Sequence, residues 1–289
     1  MQFWKMNGAG NDFVIINNMD GNLPPEVYSD MARTVCERHL SVGADGFMVV
    51  EQPRKDGDYR MCFFNSDGSI GEMCGNGARC IGRYGHENGL AGETQRIETT
   101  AGLVISRRLS AEQYKVRLND PTTMDLDRSI TIRTGGEDRS ITCDYVELGD
   151  PGLPHAVVPI KGLADYPEQE LFELGRAIRW YSGFPKGANV NFYEIIGPDH
   201  VLEKTFERGV EGFTYACGTG TGSVVAALTA KGLVSGEHVA VDMRGGTLFI
   251  DIGNKAPAGG LLSDVFLTGP TNIVAVGELR DQNVTGLIG

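Results

Sequence analysis

Two cysteines sit in the same short setting at two places in the chain. One reads Cys74-Gly75-Asn76-Gly77 and the other Cys217-Gly218-Thr219-Gly220. A thiol becomes a useful base only as the thiolate, and a helix start favours negative charge because its first amides lack partners. Glycines directly after the thiol let backbone N–H groups approach an anion such as a carboxylate. Cys-Gly-x-Gly at the mouth of a helix therefore offers a tuned thiol together with amide donors. Two such groups on opposite sides of one carbon are what inversion of that centre needs. One removes a proton from one face and the other returns a proton to the other.

The match extends past the cysteines. Each motif runs into a helical pattern that ends on a Gly-Leu pair, Gly89-Leu90 and Gly232-Leu233, at the same distance from its cysteine. A strand-like stretch broken by Gly follows: Ile97-Glu98-Thr99-Thr100-Ala101-Gly102-Leu103-Val104-Ile105, then Val241-Asp242-Met243-Arg244-Gly245-Gly246-Thr247-Leu248-Phe249-Ile250. Later, Val116-Arg117-Leu118-Asn119-Asp120-Pro121 is echoed by Val265-Phe266-Leu267-Thr268-Gly269-Pro270. A period of about half the chain excludes a solenoid and implies two similar halves, each with one thiol at one helix start.

Other elements must hold these motifs. Residues 13–17, 47–50, 59–64, 190–196 and 201–206 read as strands, and Asn65-Ser66-Asp67-Gly68-Ser69 as a turn. Residues 24–39 read as a helix with Val27, Met31 and Val35, and Leu40 just beyond, on one face, and 167–181 as another with Leu171, Leu174, Ile178 and Trp180. The helix after Cys74 runs to about Asn88, with Gly89 as its cap. Residues 223–231 are apolar nearly all round, which makes the second motif the opening of a central helix wrapped by strands. Residues 120–144 read as a polar connection with strand-like patches, the crossing between halves.

Composition narrows the chemistry. A hydrophobic fraction of 41% and a charged fraction of 22% are those of a globular protein. The net charge of −12 argues against nucleic-acid or anionic-membrane partners. No apolar run reaches the roughly 18 residues of a membrane helix, and no signal-peptide pattern opens the chain, so the expected location is cytoplasmic. Cys36, Cys62, Cys80 and Cys143 read as buried filler, and no CxxC pair suggests zinc. Gly218-Thr219-Gly220-Thr221-Gly222 lacks the Gly-Lys-Ser/Thr of a phosphate loop, and no lysine context suits pyridoxal phosphate. The expected cofactor list is empty. The expected partner is a small amino-acid substrate, and the expected assembly a homodimer.

The ordered set Lys5-Met6-Asn7-Gly8-Ala9-Gly10-Asn11-Asp12-Phe13, Phe64-Asn65-Ser66-Asp67-Gly68-Ser69, Met73-Cys74-Gly75-Asn76-Gly77-Ala78-Arg79-Cys80, Pro154-His155-Ala156-Val157, Asn189-Val190-Asn191-Phe192, Glu207-Arg208-Gly209 and Ala216-Cys217-Gly218-Thr219-Gly220 resembles the diaminopimelate epimerase family over nearly the whole chain. The resemblance implies an α+β fold of two pseudo-symmetric domains, each a curled, mostly antiparallel sheet around a central helix, with the reaction in the cleft between them. It places the first domain at 1–119, completed by a tail at about 268–289, and the second at 120–267.

It further implies a racemase that works without pyridoxal phosphate. LL-2,6-diaminopimelate would be inverted to the meso form, in the supply of lysine and of peptidoglycan precursors. Carried over by position, Cys74 and Cys217 are the proton-transfer thiols, His155 tunes Cys74, and Glu207 tunes Cys217 and touches substrate. Asn11, Asn65, Asn189 and Arg208 hold the substrate, and Gly75-Asn76 and Gly218-Thr219 give backbone donors. Two positions depart from the family pattern: Leu153 stands where an asparagine is frequent, and Gly46 where some members carry glutamine. Both concern recognition, and they motivate a rival reading, a racemase of another amino acid such as histidine. A thiol redox or ligand-binding protein is a third reading, but it gives no reason for a duplicated motif.

Overall fold

The structure is a computed structural model that describes residues 1–71, 74–255 and 261–287. Met73 of the first cysteine motif lies outside the described residues. The strands in chain order are β1 (Gln2–Gly8), β2 (Asn11–Asn17), β3 (Gly46–Glu51), β4 (Tyr59–Asn65), β5 (Thr94–Thr99), β6 (Gly102–Arg108), β7 (Gln113–Arg117), β8 (Pro121–Thr134), β9 (Glu137–Leu148), β10 (Leu153–Pro159), β11 (Asn189–Gly197), β12 (His200–Glu207), β13 (Gly212–Phe213), β14 (Val239–Met243), β15 (Gly246–Asn254), β16 (Ser263–Pro270) and β17 (Asn272–Glu278). The helices are α1 (Tyr28–Val35), α2 (Gly75–Glu87), α3 (Glu168–Arg179), α4 (Gly218–Ala230) and the short α5 (Gln282–Thr285).

The chain divides into two compact units, Met1–Val116 with Thr268–Gly289, and Arg117–Leu267. In the first, β17 pairs antiparallel with β1 and β1 with β2; β2–β3 is parallel, β3–β4 antiparallel, β4–β5 parallel and β5–β6 antiparallel. The second repeats that succession: β8–β9 and β9–β10 antiparallel, β10–β11 parallel, β11–β12 antiparallel, β12–β14 parallel and β14–β15 antiparallel. Each parallel step needs a crossover, and a helix supplies it in both units. Here α1 and α3 make the first crossover, α2 and α4 the second.

Each sheet is covered on both faces. On one face, Tyr28, Met31, Ala32 and Val35 of α1 meet Val14, Ile16, Phe47 and Val49. Leu171, Leu174 and Ile178 of α3 meet Ala156, Val158, Val190 and Phe192 in the same way. On the other face, α2 packs on β1, β2 and β6, and α4 on β8, β9, β10, β11 and β15. Val224, Val225 and Leu228 of α4 are fully buried, each worth about 1.5–3 kcal/mol of burial. The four filler cysteines are buried, and burial pushes Cys36, Cys62 and Cys80 up to about 12 and Cys143 up to about 11. They are unreactive thiols.

Two expectations need correction. The helix expected over 24–39 is shorter: a 3₁₀ turn, Pro25–Val27, leads into α1, which ends at Val35. His39 takes a left-handed φ of 76°, which no helix continues. The polar connection over 120–144 is β8 and the start of β9, a long hairpin turning at Gly135-Gly136 with φ of 59° and 86°. That is the positive-φ pair that a tight hairpin requires. Its buried face, Ile130, Ile132, Cys143 and Tyr145, alternates with polar outer residues, and the outer face masked the strand pattern.

Candidate active site

In each unit the cysteine is the N-cap of the central helix. Cys74 has extended backbone (φ −132°, ψ 115°), and its Sγ accepts from Gly77 N at 3.5 Å. Cys217 has nearly the same geometry (φ −127°, ψ 103°), and its Sγ accepts from Gly220 N at 3.4 Å. Both helices start directly after the cysteine, so the amides at 75–76 and 218–219 belong to the first turn, where helices leave donors unsatisfied. Gly77 and Gly220 serve close approach. A Cβ on Gly77 would strike Met48 Cε, and one on Gly220 would strike Asn191 Oδ1.

In the first unit Asn76 Nδ2 donates to Asn11 Oδ1 at 2.7 Å, and Asn11 Nδ2 donates to Asp45 Oδ2 at 3.2 Å. Asn76 Oδ1 accepts from Arg79 Nη2 at 2.9 Å, and Arg79 Nη1 donates to Gly75 O at 3.2 Å. Arg79 is fully buried, and burial lowers it to about 10, so it stays charged at neutral pH. Asp12, next to Asn11, is held low by Lys5 and Arg38 against its own burial, and its carboxylate binds the amide of Asp45 at 2.9 Å. The first unit thus brings Asn11, Gly75 and Asn76 together. Asn65 ends β4 opposite Gly46 and donates to Ser69 Oγ at 2.9 Å. A Cβ on Gly46 would lie 2.5 Å from Phe63 Cε2, so the Phe63 ring fills the space a longer side chain would need.

In the second unit His155 pairs with Asn189 across β10–β11, and Val190 with Phe206 across β11–β12, which sets Asn189 opposite Glu207. His155, Asn189 and Glu207 therefore form one row on the face covered by α4. The row matches Phe13, Gly46 and Asn65 of the first unit. Asn189 Oδ1 accepts from Arg208 N at 2.8 Å, and Arg208 Nη1 donates to Lys186 O at 2.9 Å. Thr219 Oγ1 is 3.6 Å from Cys217 Sγ. Leu153 stands at the start of β10 and is half-buried. All six cysteines are free thiols.

The electrostatics differ from the bare helix-start argument. Burial is the largest effect on Cys217 and raises it well above an ordinary thiol, with the Glu207 carboxylate adding to the rise. The Thr219 hydroxyl and Gly220 amide pull the other way and do not prevail. Burial and Glu207 both favour the protonated form of Cys217. His155 is 0% exposed, and burial with the nearby Arg208 charge pushes it down to about 3. It is neutral at every physiological pH. Its Nδ1 meets Asn191 Nδ2 at 3.1 Å, and its Nε2 has no hydrogen-bond partner among the described residues.

Sequence reasoning missed Glu203, Thr205 and Thr221, which join Asn191 behind His155. Thr221 Oγ1 donates to Glu203 Oε2 at 2.8 Å. Burial raises Glu203 from the usual carboxylate range to about 7. Among the described residues no three His, Cys, Asp or Glu side chains gather as a metal site.

The family profile for diaminopimelate epimerase matches residues 3–124 and 149–274. A diaminopimelate epimerase of Aquifex aeolicus is 38% identical over 98% of this chain and 99% of its own length. One of Archaeoglobus fulgidus is 37% identical over 96% of each. Among solved structures, a hydroxyproline epimerase of Agrobacterium vitis, with bound trans-4-hydroxy-L-proline, superposes with a TM-score of 0.71. It covers 96% of this chain and 91% of that one at 17% identity, a likeness of fold. The two-unit α+β architecture is shared, and by sequence the chain belongs to the diaminopimelate epimerase family, a family of isomerases.

Proposed function

We propose that the chain inverts one α-carbon of LL-2,6-diaminopimelate to give the meso form, with Cys74 and Cys217 as the two acid/base groups. The observation that carries the reading is the duplicated N-cap: each unit gives one cysteine the same backbone geometry at the start of its central helix. Membership of the family supports the substrate.

In this reading Cys217 rests as the thiol, because burial and Glu207 hold its proton. Cys74, as thiolate, takes the α-proton, and its sulfur becomes a thiol. The electron pair left on carbon delocalises into the substrate carboxylate. Cys217 then gives its proton to the opposite face and becomes the thiolate, and the reverse reaction exchanges the roles. His155 tunes Cys74 and Glu207 tunes Cys217. The amides of Gly75-Asn76 and Gly218-Thr219, with Arg208, bind the charge that develops on the carboxylate, each such donor being worth roughly 3–4 kcal/mol. Asn11, Asn65, Asn189 and Glu207 hold the remaining polar groups. A cytoplasmic homodimer is the proposed working form; six free thiols suit a reducing compartment.

The test is a set of alanine variants assayed with LL-diaminopimelate and a panel of L-amino acids. Cys74→Ala and Cys217→Ala each abolish inversion, while Cys36→Ala, at the C-terminal cap of α1, leaves it nearly unchanged. Near-normal inversion by either of the first two would end the two-thiol reading. Inversion of another amino acid in preference to diaminopimelate would end the assignment of substrate.

A further inference from the structure

The two units differ sharply at one matched place. On the face of β10, β11 and β12 under α4, the second unit carries His155, Asn191, Thr205 and Glu203, with Thr221 one turn into the helix. Strand register and distance from the cysteine put Phe13, Met48, Phe63, Met61 and Ala78 at the corresponding places of the first unit. One half fills this space with apolar side chains. The other fills it with polar groups that are all 3% exposed or less. Buried polar groups are costly unless each is satisfied. Such a network in one half only calls for a use that packing does not provide.

Counting protons gives the use. Thr205 Oγ1 is 3.1 Å from Asn191 Oδ1 and 3.1 Å from Glu203 Oε1, yet a hydroxyl has one proton. Asn191 Nδ2 faces both His155 Nδ1 at 3.1 Å and the carbonyl of Ala156 at 3.5 Å, which orients the amide with its oxygen toward Thr205. The contacts of Thr205 and Asn191 are all satisfied when Glu203 is a neutral acid that donates to Thr205, Thr205 donates to Asn191 Oδ1, and Asn191 donates to His155 Nδ1. Thr221 Oγ1, which also lies 3.0 Å from the carbonyl of Cys217, then gives its one proton to the remaining oxygen of Glu203, the shorter of the two contacts at 2.8 Å. His155 Nδ1 is thereby an acceptor, and the ring proton sits on Nε2, the nitrogen with no hydrogen-bond partner among the described residues.

We propose that Glu203 is a positioning residue: through Thr205 and Asn191 it sets the tautomer of His155, and so decides whether Nε2 donates or accepts a hydrogen bond. If Glu203 loses its proton, the Thr205 hydroxyl turns to it, Asn191 loses its donor and reverses, and the ring proton moves to Nδ1, leaving Nε2 bare. No proton is lost from the ring, so the switch needs no charge on His155. The titratable groups around Glu203 are Cys217 at the N-cap of α4, His155 on β10, Tyr193 opposite it on β11, and Glu207 with Arg208 at the end of its own strand. Asp242 on the neighbouring β14 is engaged with His200 and Thr247. Among the described residues no lysine or arginine bonds Glu203. Its value near 7 therefore reflects burial eased by two hydroxyl bonds, and it places the switch in the neutral range.

The proposal rests on His155 having the role given above, and its test separates the two. Enzyme with ¹⁵N-labelled histidine is titrated by NMR from pH 5.5 to 8.5, with the His155 signals assigned by their loss in a His155→Asn variant. In the wild type, the protonated nitrogen is Nε2 at low pH and Nδ1 at high pH, with the change near pH 7. In Glu203→Gln, whose amide donates to Thr205 at every pH, Nε2 stays protonated throughout. In Thr205→Val the tautomer no longer follows pH. The kcat profile for α-proton exchange carries a matching inflection in the wild type that Glu203→Gln loses, while KM changes less than threefold. A tautomer that ignores pH in the wild type, or one that shifts equally in Glu203→Gln, overturns the proposal. An NMR switch without any inflection in kcat leaves the tautomer under Glu203 and instead refutes the role of His155 in the reaction.

Discussion

Replacing Glu203 with glutamine should stabilise the protein at alkaline pH and leave it unchanged at acid pH. The carboxyl is 1% exposed, and burial raises it from 4.5 to about 7. A raised acid holds its proton more tightly folded than unfolded. Its stabilising contribution is complete below the unfolded value, about 4.5, and is lost as pH climbs to the folded value, about 7. A tenfold gain in proton affinity on folding is worth about 1.4 kcal/mol, so the loss by pH 8 is on the order of 3 kcal/mol. Glutamine has the same shape, accepts from Thr221, donates to Thr205 and cannot ionise. For a folding domain of about 150 residues, 3 kcal/mol corresponds to roughly 6–12 °C in Tm. Thermal unfolding of both proteins from pH 4 to pH 9, followed by circular dichroism, checks this. The two Tm curves should meet near pH 4.5, diverge up to pH 7 and run parallel above it. A constant offset at all pH values, or a variant less stable at pH 8, would refute the burial argument.

The paired glycines give a contrast. Gly77→Ala meets only the flexible end of Met48, and alanine favours a helix by about 1 kcal/mol over glycine, so stability should hold or rise. Gly220→Ala meets Asn191 Oδ1 and comes within 3.2 Å of Cys217 Sγ, so inversion should fall by at least tenfold while the fold survives; steady-state rates and Tm measured together decide it. Arg79→Met removes a charged partner of Asn76 and of Gly75 O, worth about 1.5–3 kcal/mol each. KM for diaminopimelate should rise more than kcat falls, because Asn76 steadies Asn11; an unchanged KM would exclude that support.

What could be read from the sequence was set by what repeats. Cys74 and Cys217 were legible because glycines and helix ends recur at equal distances, and a helix start needs those residue types. The α+β class came from the resemblance to the diaminopimelate epimerase family, and the short apolar runs and helical faces are in keeping with it. Glu203 and Thr205 were not. In β12 polar residues fall on both faces: Lys204 reaches out to the carbonyl of Leu163 at 2.8 Å, while Glu203 points in. Alternation alone cannot tell a solvated face from a buried network, because partners from other strands and from α4 provide the satisfaction. The β8–β9 hairpin was obscured by its exposed polar side, and α1 was overdrawn because periodicity does not register the left-handed backbone at His39.

The central claim is that two different thiols act on opposite faces of one carbon. The direct test is to start the enzyme on LL-diaminopimelate in D₂O and to locate deuterium at Cα during the first few per cent of conversion. Two bases predict that the meso product carries deuterium from the second thiol, while the remaining LL substrate stays protiated. Meso product that retains the substrate's own proton would mean a single group carries it across, and would contradict the account.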